Sequence, residues 1–292
     1  MEEAERRFLS GVPIDPTPRI CLEEGSKELT MRAMDLICPI GCGQRGLIVA
    51  PPGSGKTTFL KHICRAVAAS RPDVKLYCLL VDERPEEVTD FKRSVTAEVH
   101  ASSSDQGYDN HVRVADQLMK LVFRQAADGA DCMVVVDSLT RLARVHNAER
   151  ASSGRTLSGG VDARALEVPR RIFGAARKIE NGGSLSIMGT ILISTGSRMD
   201  DVIFEEFKGT GNMEVVLSRD IANRRIFPAI DIAASNTRKK ELLLDPCELS
   251  GTDNLRRILL EKNPIEAAKT LVELLEKYPA NKDLLASLSK VG

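Results

Sequence analysis

Gly46-Leu-Ile-Val-Ala-Pro-Pro-Gly-Ser-Gly-Lys-Thr-Thr58 passes from an apolar run through a glycine-containing turn into helix-forming residues. That order predicts a strand, a loop and a helix, the arrangement that lets a backbone wrap a polyanion. Gly53 and Gly55 allow the main chain to come close to phosphates, so that its N–H groups can ring them. Lys56 should reach the β- and γ-phosphates of a nucleoside triphosphate, and the Thr57 hydroxyl should hold Mg²⁺. The helix from Thr58 onward adds partial positive charge at its start. Pro52, Ser54 and Thr58 complete the residues expected around the ligand. Ala50 stands where the pattern G-x-x-x-x-G-K-[ST] opens with glycine.

A chain of 292 residues can bury a large core as one big domain or two small ones. Lys and Arg number 41, as do Asp and Glu, so no global basic field marks a protein that coats duplex nucleic acid. A local basic pore or groove remains compatible with that balance. Tryptophan is absent and aromatics are sparse, which argues against extended base-stacking platforms. The seven cysteines include no C-x-x-C pair, and Cys38 and Cys42 have no histidine at zinc spacing. They read as buried free thiols of a reduced, cytoplasmic protein. The charged start Met1–Leu9 is no signal peptide, and no apolar run reaches membrane length.

Outward from the loop, apolar runs at Gly46–Ala50, Val74–Val81, Cys132–Val136 and Leu185–Ile193 predict buried parallel strands. Helical patterns fall at Lys56–Ser70, Pro85–Val95, Asn110–Ala127, Ser138–His146 and Ala163–Glu180. This alternation predicts an α/β domain with a mainly parallel sheet and ligands at the strands' C-terminal ends. Residues 1–30 read as an extended arm, 31–245 as the nucleotide-binding domain and 246–292 as a small helical subdomain. The Gly/Ser-rich stretch 147–161 is long for a loop inside a compact domain, which points to function or disorder.

Hydrolysis needs carboxylates as well as a cradle. Met133-Val-Val-Val-Asp137 is an apolar run ending in an aspartate, placed to support Mg²⁺. Val81-Asp-Glu-Arg-Pro-Glu-Glu-Val88 ends a second strand and starts a helix with Pro85 at its first position. Glu86 and Glu87 suit that helix N-terminus. Glu83, at the strand's carboxyl end, is the best general base for an attacking water. Arginines at 219, 224, 225 and 238 are by default solvated, and spacing alone assigns them no role.

These segments resemble the ATPase domain of the bacterial transcription termination factor Rho family. The likeness includes Pro39-Ile-Gly41 and Gly43–Pro52 with its alanine, Asp82–Val88, Asp137-Ser-Leu-Thr-Arg-Leu-Ala-Arg144, Gly159–Ala163, Phe173–Arg177, Glu205–Asn212 and Phe227–Asp231. It runs in register from Pro18 to Leu244 and weakens beyond. The resemblance implies a RecA-like fold and a ring, expected to be hexameric, that hydrolyses ATP with Mg²⁺ between subunits and moves single-stranded RNA through its centre. It places Lys56, Glu83 and Asp137 in the catalytic site and Arg238 as the arginine finger from a neighbouring subunit. Arg84 and Arg141 fall on interface and coupling positions, and Phe227 on the aromatic that packs against adenine. Two loops would face the pore, one with Arg155, Thr156, Ser158, Gly159 and Gly160, the other with Lys208, Gly209 and Thr210. Their glycines, hydroxyls and single cations suit sliding contacts to phosphates and 2′-hydroxyls. RNA polymerase and full-length rings of the same family are further partners the resemblance implies.

The family carries an N-terminal RNA-capture domain, whereas Met1 here precedes only a short arm, so weak or partner-dependent loading on RNA is expected. Gly53 stands where the family more often has lysine, which should alter nucleotide affinity without abolishing catalysis. Two rival readings are an F1-like rotary or secretion ATPase and a non-enzymatic regulator of a related ring. Gly159–Ala163 and Lys208–Asn212 favour the first reading over the F1-like one, and the intact Lys56, Thr57, Glu83, Asp137 and Arg238 disfavour the regulator.

Overall fold

The computed structural model describes residues 3–150, 160–162 and 164–288. Seven strands line up side by side in the order Asn236–Thr237, Met213–Val216, Arg45–Ala50, Ser184–Leu192, Asp131–Asp137, Lys75–Glu83 and Glu98–Ser103. Every neighbouring pair is parallel except the first, where Asn236–Thr237 runs antiparallel. Side chains alternate across the sheet, so each central strand feeds two cores. Ile48, Ala50, Met133 and Val135 join one, with the helix Lys56–Ser70 and the helix Leu29–Ile37. Leu47, Val49, Val134 and Val136 join the other, with the helices Tyr108–Ala127, Leu139–Arg150 and Glu167–Gly174. Both faces are covered, which is why these strands read as unbroken apolar runs. Truncating a buried side chain of the first core, for example Leu60→Ala on the helix Lys56–Ser70, costs about 2–5 kcal/mol.

The sheet confirms the α/β expectation and supplies strands that apolar periodicity missed. Glu98–Ser103 is polar and only partly buried, while Met213–Val216 and Asn236–Thr237 are short edge elements. The expected helix Ala163–Glu180 is corrected: it spans only Glu167–Gly174, and Arg177–Ile179 is a strand. That strand pairs antiparallel with both Ser184–Leu192 and Pro13–Ile14, so sheet pairing overrides helical pattern there. The first residues are not wholly extended either. Glu3–Leu9 is a helix with glutamates in its first turn and arginines in its last, and the prolines come only after it. Its Phe8 is buried against Phe123, with ring centroids 6.1 Å apart.

The C-terminal helices Pro246–Leu260, Pro264–Lys277 and Asn281–Leu288 bury leucines in the same core as the phosphate-loop helix. Asp245 caps the first of them through a capping box with Glu248. Five cysteines are buried; Cys21 is half-buried, and Cys247, in the first turn of Pro246–Leu260, is exposed, contrary to the all-buried expectation. Among the described residues no helix is long and apolar enough to cross a membrane.

Candidate functional site

The strand Arg45–Ala50 delivers the chain to a loop whose glycines take backbone angles that other residues avoid. Gly53 has φ +77° and Gly55 φ +90°, and the space where a Gly53 Cβ would sit is open. Gly55 caps the helix Lys56–Ser70, so the helix's first N–H groups point into the loop. Ser54 is buried, its hydroxyl donating to the Pro51 carbonyl at 2.8 Å, and so braces the loop from within. Ala50 is the last strand residue, paired with Leu192 and fully buried. The turn begins after it, which explains why glycine is not required there. Pro52 and Thr58 are exposed on the rim, and Thr57 is half-buried.

Two neighbouring parallel strands, Lys75–Glu83 and Asp131–Asp137, bring carboxylates to this loop. Lys56 forms an ion pair with Asp137 Oδ1, and its Nζ lies 3.9 Å from Glu83 Oε2. Arg141 Nη2 lies 3.1 Å from Glu83 Oε1, and Arg141 Nη1 donates to the Asp82 carbonyl. Asp82 has φ +55°, and the pairing register with Glu98–Ser103 shifts between Val81 and Glu83. This bulge re-aims Glu83, a feature no hydrophobic pattern reveals. Glu83 is 4% exposed, and its Oε2 is a buried oxygen without a hydrogen-bond partner. Burial and the nearby Asp137 charge raise its pKa to about 7, against the pull of Arg141 and Lys56. Thr190, on the strand between the phosphate-loop and Asp137 strands, donates to Asp137 Oδ1 at 3.0 Å. Sequence reasoning missed it, because a single hydroxyl within an apolar strand carries no pattern.

The oxygen-rich set of Thr57 and Asp137 fits Mg²⁺, which is usually held by one or two protein oxygens together with substrate phosphates. No group of three or more His, Cys, Asp or Glu suited to a metal occurs among the described residues. Lys56, turned onto Asp137, marks where a cation meets the loop.

Residues 30–237 match the nucleotide-binding domain of the ATP synthase alpha/beta family. Transcription termination factor Rho of Streptobacillus moniliformis is 49% identical over 277 residues, 94% of this chain and 66% of the relative. The Rho of Karelsulcia muelleri is 48% identical over 283 residues, covering 97% of this chain and 75% of the relative. The chain belongs to the Rho family. It spans 40% of the Micrococcus luteus Rho, to which it is 50% identical. The prototypical ATPase of a type III secretion system shares the fold, with TM-score 0.77 at 23% identity over 95% of this chain and 86% of that one. The architecture is therefore RecA-like.

The aromatic that the Rho likeness assigns to adenine sits beside the loop. Phe227 lies against Gly55, where an added Cβ would be 3.5 Å from the ring, and it is 46% exposed, leaving a face free. With Thr30, Ser54, Thr58, His62 and Pro228 it lines a cavity of about 260 Å³. Burial lowers the His62 pKa, which favours the neutral ring.

Other Rho-family positions lie elsewhere. Arg238 is exposed, and its backbone N–H donates to the Asn212 carbonyl. It follows Thr237, which pairs with Met213, whose other neighbour is Gly46 near the start of the phosphate-loop strand. A strand rises about 3.3 Å per residue, so Arg238 sits roughly 15 Å or more from its own phosphate loop. Lys208, Gly209 and Thr210 occupy this same end, with Lys208 exposed over the Phe204 ring. Thr210 lines a cavity of about 440 Å³ with Arg164, Glu167, Arg170 and Arg171, a basic concavity that sequence reasoning did not single out. Gly160 is exposed with φ +77°, while Arg155, Thr156, Ser158 and Gly159 lie outside the described residues. Arg84, which precedes the helix Pro85–Ser94, is exposed and 3.6 Å from Glu87. Arg141, by contrast, turns inward onto Glu83.

Proposed function

We propose that this chain is an ATP hydrolase of the Rho type, acting at subunit interfaces of a ring and moving single-stranded RNA through the centre, in the cytoplasm. The observation that carries the reading is the cluster Lys56–Asp137–Glu83–Arg141 at the mouth of the phosphate loop, in a chain of the Rho family.

In this reading the loop amides and Lys56 bind the triphosphate, and Phe227 stacks on the adenine. Thr57 and Asp137 hold Mg²⁺, which when bound draws charge from the phosphates. The unpartnered Glu83 Oε2 orients and deprotonates the attacking water. A carboxylate whose pKa is near 7 is well matched to that task at neutral pH. Arg141 fixes the other Glu83 oxygen and the Asp82 carbonyl, tying the base to the helix Leu139–Arg150 that leads toward 151–161. Its remoteness from its own loop leaves Arg238 free to serve a neighbour's site. Lys208 and Thr210, with the stretch around Gly160, would contact RNA phosphates and 2′-hydroxyls. Six copies of Lys208 would give a neutral chain a basic collar.

The decisive experiment is the ATPase rate with and without poly(C), run beside a mass measurement of the assembled particle. Stimulation in a six-subunit particle is expected. An intact ring that hydrolyses ATP with no response to RNA would overturn the RNA reading and favour a secretion- or F1-type ATPase.

A further inference from the structure

Thr190 is fully buried inside the strand Ser184–Leu192, where its neighbours are apolar and a valine would fit the sheet equally well. Its hydroxyl has one proton and two acceptors within reach: Asp137 Oδ1 at 3.0 Å and the Val136 carbonyl at 3.3 Å. The shorter contact is to the charged oxygen, and hydrogen bonds to ionised acceptors are the stronger ones. Asp137 Oδ1 therefore receives two donors, the Lys56 ammonium and the Thr190 hydroxyl. Both fall on the same oxygen, so neither holds Oδ2. Lys56 cannot keep this place if it is to meet phosphates. Once it leaves, Thr190 is the donor that still fixes which Asp137 oxygen turns outward.

We infer that Thr190 is a positioning residue that locks the Asp137 carboxylate with Oδ2 toward the metal, and so sets the affinity of the site for Mg²⁺. The inference rests on the proposed role of Asp137. Partners that orient a metal-binding carboxylate typically contribute about 10-fold or more to metal affinity. The side chain touches neither substrate nor metal; it acts through Asp137 alone.

The test is Mn²⁺ affinity, read by electron paramagnetic resonance in the presence of a non-hydrolysable ATP analogue, for the parent, Thr190→Val, Thr190→Ser and Asp137→Asn. Thr190→Val should weaken Mn²⁺ about 10-fold, with unchanged binding of the analogue in EDTA, and should shift the Mg²⁺ dependence of turnover in parallel. Thr190→Ser, which keeps the hydroxyl, should stay near the parent. If Thr190→Val melts early, Thr190→Ala carries the same expectation. Parent-like Mn²⁺ affinity in the hydroxyl-free variants, with Asp137→Asn impaired, overturns the Thr190 inference alone. Parent-like affinity in Asp137→Asn overturns the reading of Asp137 beneath it. Equal loss in Thr190→Ser and Thr190→Val would show that packing, not the hydroxyl, is at work, and would also overturn the inference.

Discussion

The two ends of the parallel strands differ in how complete they are. At the C-terminal end, Lys56, Glu83, Asp137, Arg141 and Thr190 are brought together from separate strands and helices, and each has a partner in the same chain. At the other end, Arg238 and Lys208 are exposed cations, the first just past the edge strand Asn236–Thr237 and the second at a helix C-terminus. Arg45 there is half-buried beside Arg177 and Arg238, and desolvation with these two like charges lowers its pKa. A protein keeps like charges together at a cost unless something negative completes them. One end joins its charged groups to one another within the chain, whereas the other holds exposed cations near the Glu214 carboxylate and, in the proposed reading, offers them to a neighbour or a polyanion.

The largest effect should come from Arg238→Ala, which in the proposed reading removes a charge offered across an interface. Turnover in the assembled particle should fall on the order of 10³-fold or more with ATP binding retained. Mixing subunits sharpens the contrast between the ends: Arg238→Ala subunits combined with Glu83→Gln subunits should regain activity. In such a ring some sites pair an intact Glu83 with an intact Arg238. Absence of recovery in mixed particles of normal mass would place the arginine outside the neighbour's site.

Next comes Glu83→Gln alone. Removing the base should lower kcat by about 10²–10⁴ while preserving nucleotide binding and assembly. Parent-like turnover would break the assignment of the attacking-water role. Lys208→Ala should act at the other end, leaving basal hydrolysis largely intact and abolishing the response to poly(C). Persistent stimulation would mean that RNA does not pass that cation.

Much of the first end was legible in the sequence, because close backbone approach demands glycines at fixed spacing and buried parallel strands demand apolar runs. Gly53, Gly55, Lys56 and the strand ending at Asp137 follow from those two constraints. What was not legible is whatever depends on cross-strand register. Thr190 faces Asp137 only because Val136 pairs with Gly189, and the bulge at Asp82 leaves no compositional trace. The Arg177–Ile179 strand was masked by a helical pattern that sheet pairing overrode. The proposed role of the second end rests on the family likeness alone. Single exposed cations such as Lys208 and Arg238 look the same in sequence whether they bind RNA, reach a neighbour or face water.

The smallest effect separates stability from catalysis at Glu83. Its pKa is raised to about 7 in the folded chain, against roughly 4.3 when unfolded. Between those values the folded state holds a proton that the unfolded state has released, so stability declines as pH rises through this window. Below about pH 4 both states are protonated and the penalty is absent. Above about pH 7 the full cost of burying the charge is present, on the order of a few kcal/mol, the pull of Arg141 and Lys56 already being part of the raised pKa. Glu83→Gln removes the charge, so the nucleotide-free variant should melt a few degrees above the parent at pH 8. That gap should close as pH is lowered toward 4. The parent's kcat/KM should move the opposite way, rising to a plateau above about pH 7 as the base loses its proton. A Glu83→Gln melting advantage that is the same at pH 8 and pH 5 would show that the buried charge is not strained. The C-terminal end of the sheet would then be as relaxed as it is complete.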